Sequence, residues 1–295
     1  LSRRTAPHAN MTYAVDLITL CRDVAATCAP PPIRALHLPP LRHSPCDGDN
    51  RGEFAAVELA DGSVGVAFVL YEDAYETLRT QQASVVGASV LAMIERYGAR
   101  DAGARVLALA AANALARHVF DTVGWQPPVA TDSLGGIEPA AGEHIGMVGF
   151  FKPLLKRITA VGARLTVLER KADFVGEHAG AIVTLDAAAL ARCDKVLITS
   201  SVLLNESLDA VLAACGGARD VVLIGPSAGG WPDALFSRGI TALGASWVTD
   251  PAAFIAMLTR GESTSPVTRK TTLRCSDYPG LAPLLSSSRA TQRSS

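Results

Sequence analysis

From His144 to Asp250 the chain repeats one unit: a short run of Val, Ile and Leu with few polar interruptions, a turn, and a helix with one apolar face. The runs are "HIGMVGF", "RLTVLER", "DKVLITS", "DVVLIGP" and "ITALGAS". A strand that is apolar on both faces needs cover on both faces, and helices between successive strands supply it only when the strands run parallel. This requirement fixes the second half of the chain as a parallel sheet between two helical layers.

The expected fold class is therefore α/β, with a Rossmann-like parallel-sheet domain over residues 144–275. Before it lies a region of a different kind. A leading helix is followed by "EFAAVELADGSVGVAFVLY", in which Asp61-Gly62 separates two strand-like runs and supplies the turn of a hairpin. Two Ala-, Leu- and Val-rich helical stretches follow, about Thr77 to Tyr97 and about Asp101 to Val123. A smaller α+β domain over residues 12–123 is expected. The segment 124–143, "GWQPPVATDSLGGIEPAAGE", is rich in Pro and Gly and reads as a linker. The polar stretch 276–295 is expected to fray.

A chain of 295 residues, 49% of them hydrophobic, can bury a large core. Its 27 basic and 28 acidic residues are interspersed and leave no basic field for nucleic acid. The most apolar stretch, "RVLALAAANALARHVF", is broken by Asn113, Arg117 and His118 and falls short of the ~20 residues of a membrane span. Six cysteines without CxxC spacing are most simply reduced thiols, which implies a cytoplasmic protein. Cys21 and Cys28 share one helix face, where they fill a core or form a thiolate site.

In an open parallel sheet, ligands lie beyond the carboxyl ends of the strands. The first such loop carries Gly146 and Gly149 but is not GxGxxG, and Phe150 and Phe151 would crowd a pyrophosphate. It reads as one wall of a different pocket. Glu169 ends the second strand, where a carboxylate can accept ribose hydroxyls, an amine or a metal. The third loop gathers Thr199, Ser200, Ser201 and Asn205, the fourth is "GPSAGG" with Gly225 and Ser227, and the fifth places Asp250 at a helix start, as a cap or a ligand. No GxSxG elbow surrounds Ser227, and no histidine follows His178. Two weaker transition-metal signals are Glu177 with His178, and the group His43, Cys46, Asp47 and Asp49.

Taken in order, "GMVGFFKPLLKRI", "LTVLERK", "CDKVLITSSVLLNESLD", "ARDVVLIGPSAGGWPDALFSRGITALGAS" and "VTDP" resemble the DUF364 family, named for heavy-metal chelation. The first half, through "FAAVELADGSVGVAFVL" and "ALAAANAL", resembles its usual partner DUF4213, which has the fold of the enolase N-terminal domain. The resemblance covers about Thr12 to Gly261. It implies a ligand cleft between the two parts, lined by Asn113, Gly149, Phe150, Glu169, Thr199, Ser200, Asn205, Gly225 and Ser227. Where the family often has Thr-Gly-Thr, this chain has Thr199-Ser200-Ser201.

The leading expectation is a binding protein for a heavy metal, a metal chelate or a small anionic ligand, with Glu169 and Asp250 as candidate metal-binding carboxylates. A transition metal or its chelate is the expected cofactor, a small molecule or metal the expected partner, and a homodimer the assembly to test. The alternatives are a lyase-like or nucleotide-cofactor-dependent enzyme of metallophore or cofactor metabolism, and a scaffold acting through protein contacts.

Overall fold

The computed structural model of the chain describes residues 12–40, 53–130, 132 and 134–292. It is a mixed α/β protein with two sheets. The small antiparallel sheet has the order β1 (Ile33–His37), β2 (Phe54–Leu59), β3 (Val64–Phe68). Its hairpin turns through Gly62 at φ +91°, a conformation glycine adopts without steric penalty. Around it lie α1 (Tyr13–Thr27), α2 (Ala74–Gln81), α3 (Val90–Ile94) and α4 (Ala102–Thr122).

The expected continuous helix from 77 to 97 is broken. Gly87 at φ +78° donates its N–H to the Ile33 carbonyl at 2.8 Å, and the Ile33 N–H donates to Ala88 O at 3.0 Å. Residues 82–89 leave the helix because they serve the backbone of β1.

The large sheet has eight strands: β4 (His144–Val148), β5 (Arg164–Leu168), β6 (Gly176–His178), β7 (Ala181–Thr184), β8 (Lys195–Thr199), β9 (Asp220–Ile224), β10 (Ala242–Val248) and β11 (Thr268–Arg274). Their order is β11-β10-β9-β8-β4-β5-β7-β6. The six central strands pair in parallel, and β11 and β6 close the two edges antiparallel. Between them run α5 (Lys152–Thr159), α6 (Leu208–Ala214), α7 (Pro232–Phe236) and α8 (Pro251–Arg260). Alternate residues of one strand enter opposite layers, as the two-residue period of a strand requires. Val196 and Ile198 belong to the core that also holds α4, whereas Leu197 belongs to the one with Ile145, Leu155 and Ile158.

α4 explains how the halves join. Residues Ala102 to Ala116 of this helix are all buried, because β2 and β3 of the small sheet and the helices α2 and α3 pack around it, and further along Arg117 and Phe120 reach Trp247 of β10. Its Ala-rich surface lets neighbouring backbones come close. At Gly65 in β3 an added Cβ would fall 2.0 Å from the Ala114 amide nitrogen. Among the described residues no helix is long and apolar enough to cross a membrane.

Two further segments differ from expectation. The described residues of 124–143 form no helix or named strand, but they are not a free spacer. Val129 bridges to Thr271 of β11, and Leu134 and Ile137 are buried with Ile145 and Leu165. From 276 the chain does not simply fray; it continues into α9 (Leu281–Gln292). The Asp233 carboxylate accepts from the Tyr278 hydroxyl at 2.7 Å and the Leu281 N–H at 3.1 Å, and Leu284 is buried in the main core. Those anchors outweigh the low apolar content of the segment.

Candidate functional site

Strand order reverses at β4, which lies between β8 and β5, so the crevice of such a sheet opens beyond Val148 and Thr199. There Gly149, at φ +90°, turns the chain out of β4 towards α5. A side chain at Gly149 would press on Thr199, 3.1 Å from its Cγ2. The free amides of this turn meet the chain's own carboxylate. Glu169 Oε2 accepts from the Phe150 N–H at 3.0 Å, and Oε1 accepts from the Arg170 and Lys171 N–H groups at 2.7 and 3.4 Å. A phosphate here would have to displace Glu169. Phe150 does not wall a pocket against the smaller half; it stacks on Phe174 at 5.0 Å and meets the His178 ring edge-on at 5.4 Å.

The other candidates fall into separate groups. Thr199 and Ser201 bond each other, with Thr199 Oγ1 donating to Ser201 Oγ at 3.1 Å. Ser200 is buried against Gly225, where an added Cβ would lie 2.3 Å from the Ser200 hydroxyl. Asn205 Oδ1 accepts from the N–H and hydroxyl of Ser207, just before α6. Asp250 Oδ1 accepts from the Ala253 N–H at 3.0 Å and caps α8. Glu169 and Asp250 thus answer different helix starts and do not converge.

Asn113 and Ser227 do come together. Asn113 Nδ2 donates to Ser227 O at 3.0 Å and to Val66 O at 2.8 Å, and Ser227 Oγ accepts from the Phe68 N–H at 2.9 Å. Both side chains are buried and fasten α4 and β3 to the loop after β9. Nearby, Arg117 donates to Val248 O at 2.7 Å and lays its guanidinium 4.2 Å from the Trp247 ring centre.

Along this seam lie two hollows. One, shallow and with room for about 20 Å³, has Val64, Asn113 and Arg117 on one side and Pro226, Ser246 and Trp247 on the other. The second, with room for about 30 Å³, is walled by Phe120, Trp125, Pro232, Leu243, Trp247 and Thr271. They share Gly229, Ser246 and Trp247. The space between the halves therefore opens at the carboxyl end of β10, away from the β4–β8 crevice. Trp247 and Ser246 are site residues that the sequence reading lacked. The signal was present, since "GASWVTD" places an aromatic ring at the end of a buried strand.

Metal donors are not gathered. Among the described residues no three His, Cys, Asp or Glu side chains come together. Burial pushes the Cys21 thiol up to about 12, against a smaller opposing effect of Trp231, so a thiolate is disfavoured there. The Cys28 thiol donates to Val24 O at 3.3 Å. Burial also raises Cys193 to about 11 and Cys215 to about 12. His178 is engaged with Phe150, and His43, Cys46, Asp47 and Asp49 lie outside the described residues.

Fold and seam together define a class: α/β proteins in which a large, mostly parallel sheet is joined to a small antiparallel sheet through a buried helix. The DUF364 family model matches residues 135–276 and the DUF4213 model residues 52–116, each described as "Putative heavy-metal chelation". The chain is thus similar to the DUF364 family over residues 135–276, with a segment similar to DUF4213 ahead of it. Two crystal structures of DUF364 proteins with unknown function share the fold. That from Pyrococcus horikoshii has a TM-score of 0.65 at 19% identity, covering 89% of this chain and 100% of its own. That from Desulfitobacterium hafniense has a TM-score of 0.64 at 16% identity, covering 88% and 98%. No curated protein matches the sequence.

Proposed function

We propose that the protein binds a small metal chelate or another small anionic ligand in the hollows along its seam. The observation that carries this reading is the shared wall of Gly229, Ser246 and Trp247, with the Arg117 cation beside it. The hollows are shallow, and their mainly aromatic and apolar walls with a few polar groups suit one edge of a small organic molecule. The family description supports a link to heavy metals. Among the described residues no three donor side chains gather to hold a bare ion, and a chelate would bring its metal with its own ligands.

The test is equilibrium dialysis of the full chain against nickel, cobalt, copper, zinc and iron, as aquated ions and as citrate complexes, read by elemental analysis. Retention of a citrate complex at one per chain is expected, with loss in Ser246→Trp, which fills the junction of the hollows. No retention in either form, or retention that Ser246→Trp leaves unchanged, would overturn the reading.

A further inference from the structure

Arg105 is the one charged residue between Ala102 and Ala116 of α4. It is 7% exposed, and its Nε has no hydrogen-bond partner. Nη2 donates to Arg100 O at 3.2 Å, and Nη1 stands 3.4 Å from Glu206 Oε1. That carboxylate is a loose counterion, because its own side chain is 62% exposed. A guanidinium carries five N–H donors in a rigid fork, and a buried one with vacant donors is costly unless an anion completes it.

The surroundings fit an unfinished anion site. The guanidinium lies 5.9 Å from the ring centre of Tyr71, in the loop after β3, and Glu206 belongs to the loop after β8. Among the described residues three non-glycines take a left-handed backbone, and two are Glu206 (φ +57°) and Glu72 (φ +50°), which flank this pair of loops. Strain of this kind collects where a segment is held for a task rather than for stability. A second cation is close by. Burial pushes the Tyr71 phenol up and Glu72 adds to the rise, while Arg170 and Arg105 oppose it. Glu72 is thus a carboxylate that an incoming anion must tolerate, and Arg170 a cation that would favour it.

We propose that Arg105 is an oxyanion-binding residue: when the Glu206 side chain swings out to solvent, the guanidinium takes a small carboxylate or phosphate group between the loops after β3 and β8. Glu206 then acts as an internal stand-in for that group, and Arg170 adds attraction from the loop after β5. The site is separate from the seam hollows and does not depend on what they bind.

The test is isothermal titration of the full chain with inorganic phosphate and with succinate, at constant ionic strength in sodium chloride. Glu206→Gln removes the competing carboxylate from an exposed position, and both anions, or the one that fits, should bind about five-fold more tightly than to the parent. Arg105→Met should abolish the heat; should that variant fail to fold, Arg170→Gln, on the surface, should still weaken binding about three-fold. A response to phosphate alone assigns a tetrahedral group and a response to succinate alone a carboxylate, each in support. The proposal is overturned if a folded Glu206→Gln binds neither anion more tightly than the parent, or if binding is indifferent to Arg105 and Arg170.

Discussion

Glu169 illustrates why residue type alone cannot identify a ligand-binding group. A carboxylate at the end of a strand, one turn away from free amides, suits a ribose, a metal or the protein's own backbone, and Glu169 accepts from three backbone amides. Replacing it with Ala should leave these amides to water and lower stability by about 1–2 kcal/mol in urea unfolding, with Gln recovering part of the loss. Asp61 makes a prediction with a definite sign. Burial alone would raise its pKa, but the Ser63 N–H, the His118 ring and the Ser63 hydroxyl outweigh burial and hold it below the usual carboxylate value. A lowered carboxylate stabilises the fold above its unfolded pKa and loses that effect as pH falls through the folded value. Asp61→Asn should therefore unfold at lower urea than the parent at pH 7, and the gap should close as the pH approaches 3. Asn113 came from the family resemblance as a cleft group, and in the structure its amide, a lone polar group in an alanine-rich stretch, bonds Val66 and Ser227. Arg105 carried the same signal, a lone charge in an apolar run, and its importance emerged only with the burial and geometry of its neighbours.

The parallel strands were legible as elements because each is buried on both faces, so its sequence is apolar throughout. β11, "TRKTTLR", was not, since an edge strand buries few of its side chains and its alternation is hidden among polar residues. The break between α2 and α3 was hidden for another reason: it answers hydrogen bonds between Gly87 or Ala88 and Ile33 of β1, a separation in sequence that no local window contains. α4 was legible as a helix but not as one buried on every side, because an Ala-rich helix shows no preferred face. Its contact with β3 predicts that Gly65→Ala, a single added methyl, forces strand and helix apart. We expect a loss of about 3 kcal/mol, larger than for Ala→Gly at exposed helix sites, measured by chemical unfolding.

Across the whole molecule, one core runs from α1 through α4 to β8, β9 and β10 and out to Leu284 of α9. The composition change at 124–143 suggested a boundary between two units, yet buried side chains on both sides of it belong to that common core. Calorimetry should show one cooperative transition with equal calorimetric and van't Hoff enthalpies, and residues 124–295 alone should lack native near-ultraviolet dichroism. Two resolved transitions would refute this. Between the halves, the loop Gly225–Gly230 has two tasks. Ser227 grips the Phe68 amide, while Gly229, two positions on, forms the floor common to both hollows. Whatever settles on that floor stiffens the grip, so the exchange rate of a single proton, the Phe68 N–H, becomes a built-in gauge of occupancy that can be read without knowing what the occupant is.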